Sequence, residues 1–194
     1  VETEACGICR SDWHAWANDV SYEFEKGHIL GHEPAGYVTE VGEDVEHIRE
    51  GDHVAIPFNL NDGTCHMCRN GHANLCDNRM AVGFSEGAQG AWAEELHVPM
   101  ADFNTISLPT GVTSVDMAGL GCRFMTSFHA LAHKADISAG DWVAIHGCGG
   151  IGLSAVHIAD ALGASVVAVD LFDNKLDFAM ELGARATVNA SEVE

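Results

Sequence analysis

Basic side chains are scarce in this sequence: 9 lysines and arginines stand against 29 acids, and only Lys26, Lys134 and Lys175 are lysines. The net charge of −20 leaves nothing for a phosphate backbone to sit on, which excludes nucleic acid as a partner. No apolar run reaches the roughly 18 residues of a membrane span. No signal-peptide pattern opens the chain. The cysteines do not pair off evenly: there are seven, three of them clustered at 65–76. That argues against a disulfide framework and for metal or free thiols in a reducing, cytoplasmic setting. An initiating Met is also missing. The chain opens on a strand-like run from Val1 to Ala5, ends on Ser191-Glu192-Val193-Glu194, and reads as a fragment cut at both ends. Its 194 residues hold one large domain or two small ones. The acidic surplus reads either as a plain solvated surface or as adaptation to high salt, where repulsion is screened within roughly 3 Å at 1 M.

What is present is concentrated. Cys6-Gly7-Ile8-Cys9-Arg10-Ser11-Asp12-Trp13-His14 offers thiolate, guanidinium, hydroxyl, carboxylate and imidazole in nine residues. A thiolate can hold a metal. Ser11, followed three residues later by His14, can pass a proton. Arg10, next to a metal ligand, can grip a phosphate. No stability argument needs that mixture, so the stretch reads as the wall of an active site. Further on, Gly31, Pro34 and Gly36 bend the chain. His32 and Glu33 would face opposite ways on a straight strand, but a bend can turn both towards one site. Cysteine, histidine and glutamate suit zinc, and Asp12 is available to orient a ligand histidine. Cys9 alone reads as a buried free thiol and His32 alone as a turn histidine; together they read as a metal site.

Within 62–76, Cys65-x-x-Cys68 is a chelating turn and Cys76 supplies a third thiolate. A closed structural zinc site needs four ligands. The fourth is Asp62, His66 or His72, or it is missing; Asp62, three residues before Cys65, repeats the x-x spacing. Residues 1–60 read as mostly β with short turns, with strands over 37–42 and 53–58. Residues 91–98 read as a strand stopped by Pro99. A helical region follows from about 114 to 133, with Thr113 or Ser114 as N-cap. Cys122, inside it, is a small buried hydrophobe or a third metal ligand. His129 and His133 are spaced i, i+4 but lack the Glu of a metalloprotease helix, so they read as packing. So do His146 and His157, beside apolar runs.

The composition changes after Gly140. Residues 142–146 form an apolar strand, followed at once by Gly147-Cys148-Gly149-Gly150-Ile151-Gly152. A helix over 153–162 stops at Gly163. A second strand over 165–169 ends at Asp170, and Asp173 caps another helix that closes at Gly183. A strand, a Gly-x-Gly-x-x-Gly turn, a helix and an acid 23 residues after Gly147 make the full βαβ context for a dinucleotide. Gly147 allows the tight turn, Gly149 the approach of a pyrophosphate, and Gly152 close helix–strand packing. Gly150 and Ile151 complete the turn, and the helix N-terminus faces the anion. Asp170 can accept from both ribose hydroxyls and would repel a 2′-phosphate, so NAD is predicted over NADP.

Gly-Ile-Cys-Arg-Ser-Asp-x-His, Gly-His-Glu, Cys-x-x-Cys-x7-Cys, Gly-Cys-x-x-x-Thr and Gly-x-Gly-Gly-x-Gly with a later Asp occur here in that order. In this the chain resembles the zinc-dependent alcohol dehydrogenases of the medium-chain dehydrogenase/reductase superfamily, over essentially its whole length. The resemblance implies an α/β protein: a partial GroES-like β-rich catalytic domain over 1–125 carrying the zinc lobe 62–76, then a partial Rossmann domain over 126–194. It implies Cys9, His32 and Cys122 as catalytic zinc ligands, Glu33 as the acid beside the metal, and Asp12 as partner of the ligand histidine. It implies Ser11 and His14 as proton relay, Arg10 as a pyrophosphate contact and Thr126 as a neighbour of the nicotinamide. Phe58 falls at the substrate pocket and Lys175 at the adenosine ribose. One departure is that Asp62 stands where the structural lobe usually has the first of four cysteines. Such enzymes are longer, so the start of the catalytic domain and the rest of the nucleotide domain are expected outside this chain. The implied activity is hydride transfer between a small alcohol and NAD, in a homodimer or homotetramer. The alternatives are a polyol or sugar dehydrogenase of the same superfamily, in which the third cysteine ligand is often an acid, and a non-catalytic zinc- or nucleotide-binding scaffold.

Overall fold

The computed structural model describes residues 1–18 and 24–192. They divide into two compact units, Val1–Cys122 and Arg123–Glu194. The strands of the first unit are β1 (Glu2–Cys6), β2 (Pro34–Tyr37), β3 (His53–Ala55), β4 (Asn59–Leu60), β5 (Met80–Ala81) and β6 (Ile106–Ser107). Its helices are α1 (Arg10–Ala17), α2 (His66–Arg69), α3 (Ala101–Asn104) and α4 (Ser114–Ala118). Four strands form an antiparallel sheet in the order β1-β2-β3-β6, and β4 pairs with β5. Thr3 lies opposite Gly36 and Ala5 opposite Ala35, so Glu4 is an extra residue and β1 is bulged there. Val38, Ile48, Val54, Ile56, Leu60, Val82 and Leu96 pack together as the core of this unit.

Four expectations for this unit change, and one is that the strand expected over 53–58 ends at Ala55. The described residues of 1–60 are not mostly β: α1 follows soon after β1, and most of the rest lies in turns and loops between the short strands β2, β3 and β4. The start of α1 is fixed locally: the Cys9 N–H donates to Asp12 Oδ2 at 2.9 Å, an acid three residues in holding the cap. The strand expected over 37–42 stops at Tyr37; Val38 instead exchanges backbone bonds with Gly51 and Asp52 across a turn. Residues 91–98 form no regular strand. Their amides divide between two segments: Ala91 and Trp92 donate to Gly31 and Leu30, while Leu96 donates to Val1.

The second unit begins with α5 (Arg123–Phe128), which widens into a π-helical turn over His129–Lys134. Then come β7 (Trp142–His146), α6 (Gly150–Ala161), β8 (Ser165–Asp170), α7 (Asp173–Glu181) and β9 (Ala186–Asn189). The three strands are parallel, in the order β7-β8-β9. Parallel neighbours need crossovers, and α6 and α7 supply them. Small side chains let these helices lie close on the sheet: Ala155, Ala159, Ala168 and Ala179 are all buried with Val156, Val166 and Leu176. The single helical region expected over 114–133 is interrupted. α4 ends at Ala118, and Gly119 and Gly121 separate it from α5. Phe172, not Asp173, is the N-cap of α7; Asp173 is its first helical residue, where an acid suits the helix dipole.

Candidate metal centres and dinucleotide turn

Within the first unit, Cys9, His32, Glu33 and Cys122 each offer a ligand atom, and these atoms lie within 4.8 Å of one another. Cys9 caps α1, His32 and Glu33 precede β2, and Cys122 follows α4. Cys9, His32 and Glu33 are buried. Asp12, fully buried, holds the group together. Its Oδ1 accepts from His32 Nδ1 at 2.9 Å and from the Gly31 N–H at 3.2 Å, while its Oδ2 accepts from the Cys9 N–H. With Nδ1 engaged, His32 has only Nε2 left for a metal. The Cys122 N–H donates to Glu33 Oε2 at 2.8 Å. Burial works against charge on His32, but Asp12 and the Cys9 sulfur outweigh it and raise its pKa to about 9. Contacts with Cys122 and His32 lower the Cys9 thiol to about 3.

This donor set fits zinc. The Cys9 and Cys122 sulfurs stand 3.8 Å apart. Two sulfurs on a tetrahedral ion with bonds of about 2.3 Å are separated by about 3.8 Å. Beside them, Ser11 Oγ lies 3.7 Å from Cys9 Sγ. Arg10 spans the exposed face of α1: its guanidinium lies over the Trp13 ring at 4.5 Å and its Nε donates to His14 Nε2 at 3.4 Å. The edge of the His32 ring meets Phe58, at 6.3 Å between centroids, and Phe84, at 5.1 Å. Phe84 carries no sequence signal; it arrives through the turn after β5, which His28 Nε2 pins at the Gly83 carbonyl, 2.9 Å away.

The second donor set is Asp62, Cys65, Cys68 and Cys76, again within 4.8 Å, with the Cys65 and Cys76 sulfurs 3.9 Å apart. Of the three candidates for the fourth position, the structure gathers Asp62 with the thiols. Asp62 also folds the lobe: Oδ1 accepts from the Thr64 and Cys65 N–H groups and Oδ2 from Asn78 Nδ2 at 2.6 Å. These donors hold its carboxyl well below the usual carboxylate range. The Cys68 N–H lowers the Cys65 thiol, and burial pushes the Cys68 thiol up to about 12. Cys6 and Cys148 belong to neither set; burial raises both thiols.

In the second unit, Gly147 has φ +90, and a Cβ on Gly152 would collide with the Gly147 carbonyl. The turn therefore closes onto the start of α6, whose first residues are Gly150 and Ile151. Asp170 is tied into it. Its Oδ2 accepts from the Cys148 N–H at 2.6 Å, and its Oδ1 from the Leu171 and Phe172 N–H groups. The Cys148 N–H above all keeps this carboxyl below its ordinary pKa. Lys175 Nζ lies 3.7 Å from Asp170 Oδ1 and over the Phe172 ring. Thr126 is exposed on α5. The next residue, Ser127, is buried, and its hydroxyl lies 2.8 Å from both the Arg123 and the Ile151 carbonyls, joining α5 to the turn.

Comparison with known families decides the membership. The alcohol dehydrogenase GroES-like domain model matches residues 1–110, more than half of the chain, and the zinc-binding dehydrogenase model matches residues 150–194. The chain belongs to the zinc-dependent alcohol dehydrogenase family. Zinc and NAD are the cofactors that go with this membership. Among curated alcohol dehydrogenases, that of Moraxella sp. (strain TAE123) is 38% identical over 196 residues, covering 100% of this chain and 56% of its own. One from Geobacillus stearothermophilus is 38% identical over 190 residues, covering 97% and 55%. The chain thus spans about half the length of the curated relatives it matches. Among solved structures, the alcohol dehydrogenase from Thermus sp. ATN1 superposes with a TM-score of 0.93 at 34% identity, over 100% of this chain and 56% of that one. The galactitol-1-phosphate dehydrogenase from Escherichia coli gives 0.86 at 34% identity, over 100% and 54%.

Proposed function

We propose that the protein is an NAD-dependent alcohol dehydrogenase that interconverts a small alcohol with its aldehyde or ketone. The observation that carries this is the Cys9–His32–Glu33–Cys122 donor set, with Asp12 buried behind His32 and Ser11 beside Cys9. Cys9, His32 and Cys122 hold zinc, and Glu33 stands as the nearby acid. When bound, zinc supplies Lewis acidity that makes an alcohol hydroxyl acidic near neutral pH, and NAD supplies the hydride acceptor. Ser11 takes the alcohol proton and His14 hands it onward. Asp12 keeps the His32 ring in one tautomer and orientation. Phe58 lines the substrate pocket. The turn from Gly147 to Gly152, including Gly149, Gly150 and Ile151, receives the pyrophosphate; Arg10, on the first unit, is by its position in the motif a pyrophosphate contact. Thr126 lies by the nicotinamide, Lys175 contacts the adenosine ribose, and Asp170 selects NAD. The lobe holds a structural zinc through Asp62, Cys65, Cys68 and Cys76. The two structural units supply a GroES-like catalytic domain up to about residue 125 and a Rossmann domain from there on. The working protein is a cytoplasmic homodimer or homotetramer, in keeping with the free thiols and the family resemblance.

The similarity to galactitol-1-phosphate dehydrogenase supports a second reading, a polyol dehydrogenase. One experiment tests both. NAD reduction is followed with primary alcohols, secondary alcohols and polyols, with and without a zinc chelator. Chelator-sensitive turnover is expected, with simple alcohols preferred. A preference for polyols selects the second reading, and no turnover in a zinc-loaded protein leaves a non-catalytic scaffold.

A further inference from the structure

One polar chain, buried only at its central serine, has no part in the roles above. Ser114, only 4% exposed, opens α4, and its hydroxyl lies 2.7 Å from Glu4 Oε2 and 2.7 Å from His53 Nε2. A serine hydroxyl has one proton. Given to the Glu4 carboxylate, it leaves the oxygen free to accept, so His53 carries its proton on Nε2. The donors run in one direction, from His53 through Ser114 to Glu4, and end on a charge, which strengthens the last bond.

Three elements meet at that hydroxyl: β1 through Glu4, β3 through His53 and α4 through Ser114. Each partner is aimed by its backbone. The bulge of β1 falls at Glu4 and takes that residue out of the strand's regular alternation. Tyr37 lies directly opposite His53 in the β2–β3 register. Its ring stacks on the imidazole at 4.5 Å and 17°, which holds the ring plane.

The far end of α4 abuts the first donor set. The Ala118 carbonyl presses on Gly7, where a Cβ would collide with it. Gly121 lies so close to Glu33 that a Cβ there would come within 2.8 Å of the Glu33 Cβ. Cys122 follows at once and donates its N–H to Glu33. α4 is only five residues long, so a shift at Ser114 is carried to Cys122. The helix does not need Ser114 in order to form. Thr113 Oγ1 accepts from the Asp116 N–H at 3.1 Å and Asp116 Oδ2 accepts from the Thr113 N–H at 3.0 Å, a complete capping box.

We propose that Ser114, held between Glu4 and His53, is a positioning residue of the first metal centre: it fixes where α4 lies and so where Cys122 presents its sulfur to Cys9 and His32. This rests on the zinc reading of that donor set. The test uses the full chain loaded with cadmium, whose NMR signal separates the two-sulfur, one-nitrogen set from the three-sulfur lobe. Ser114→Ala is expected to shift the signal of the first set and speed release of its metal about tenfold, the low end of what an outer partner of a metal ligand is worth. The lobe is expected to keep its signal and release rate. Ser114→Thr, which retains the hydroxyl, is expected to restore both readouts. Glu4→Gln keeps an acceptor without the charge and is expected to fall between, which serves if Ser114→Ala fails to fold. Unchanged release from the first set, or equal acceleration at both sites, overturns the positioning role alone. A wild-type protein that takes up no cadmium at Cys9, His32 and Cys122 overturns the zinc reading, and the proposal with it.

Discussion

At the residue scale the buried acid Asp12 is the pivot. One carboxylate answers an imidazole, a backbone amide of the bend and the cap of α1, so ligand geometry and helix start are a single constraint. The ligands themselves are less forgiving than such partners. Cys9→Ser is expected to lower turnover by more than about 100-fold, beyond what loss of an outer partner costs. Zinc content should fall from two per chain to one; retention of both zinc ions with normal turnover would refute the assignment. At the dinucleotide turn, Asp170→Gly removes one negative charge. A like-charge contact near 4 Å is worth about 1 kcal/mol even in bulk water. The ratio of kcat/KM for NADP over NAD should therefore rise at least about fivefold, and an unaltered ratio would remove Asp170 from cofactor choice. Residue type and spacing make much of this legible in sequence: Cys65-x-x-Cys68 is local, and the glycine turn has a strand before it and a helix after it. Phe84 and Ser114 are not legible. Each reaches its partners only through the tertiary fold, Ser114 across 110 residues to Glu4.

At the scale of elements, short helices do work that strands were expected to do. α1 was hidden because its cap is a cysteine, a residue absent from the usual capping preferences. The βαβ unit was legible because its helices show apolar spacing and its turns are punctuated by glycine. α3 shows the same local economy. Asp102, in its first turn, accepts from the Glu46, His47 and Ile48 N–H groups and pins the loop that follows β2. Those bonds, the Glu46 N–H first among them, lower the folded-state pKa of Asp102. A depressed carboxyl stabilises the fold above its unfolded value of about 4, and that contribution disappears as pH falls through the folded value. Asp102→Asn should lower the melting temperature at pH 7 and reduce its further fall below about pH 4. Parallel melting curves for the two proteins across that range would contradict this.

For the whole molecule the dominant number is the net charge of −20. Self-repulsion of that size opposes compactness and is screened by salt. The unfolding midpoint is expected to rise steadily from low to multimolar KCl; no gain would leave the acidity as a solvated surface without salt adaptation. The two donor sets also differ in how far along the chain their members lie. Asp62 and Cys76, in contact in the lobe, are 14 residues apart, whereas the sulfurs of Cys9 and Cys122 are separated by 113. Closing the longer loop costs about 2 kcal/mol more in chain entropy. Assembly therefore has an order in time. On the proposed zinc reading, the lobe would capture an ion as soon as one short turn has formed, while the other centre would wait for nearly the whole first unit, so a chain emerging from synthesis would meet its structural metal long before its reactive one.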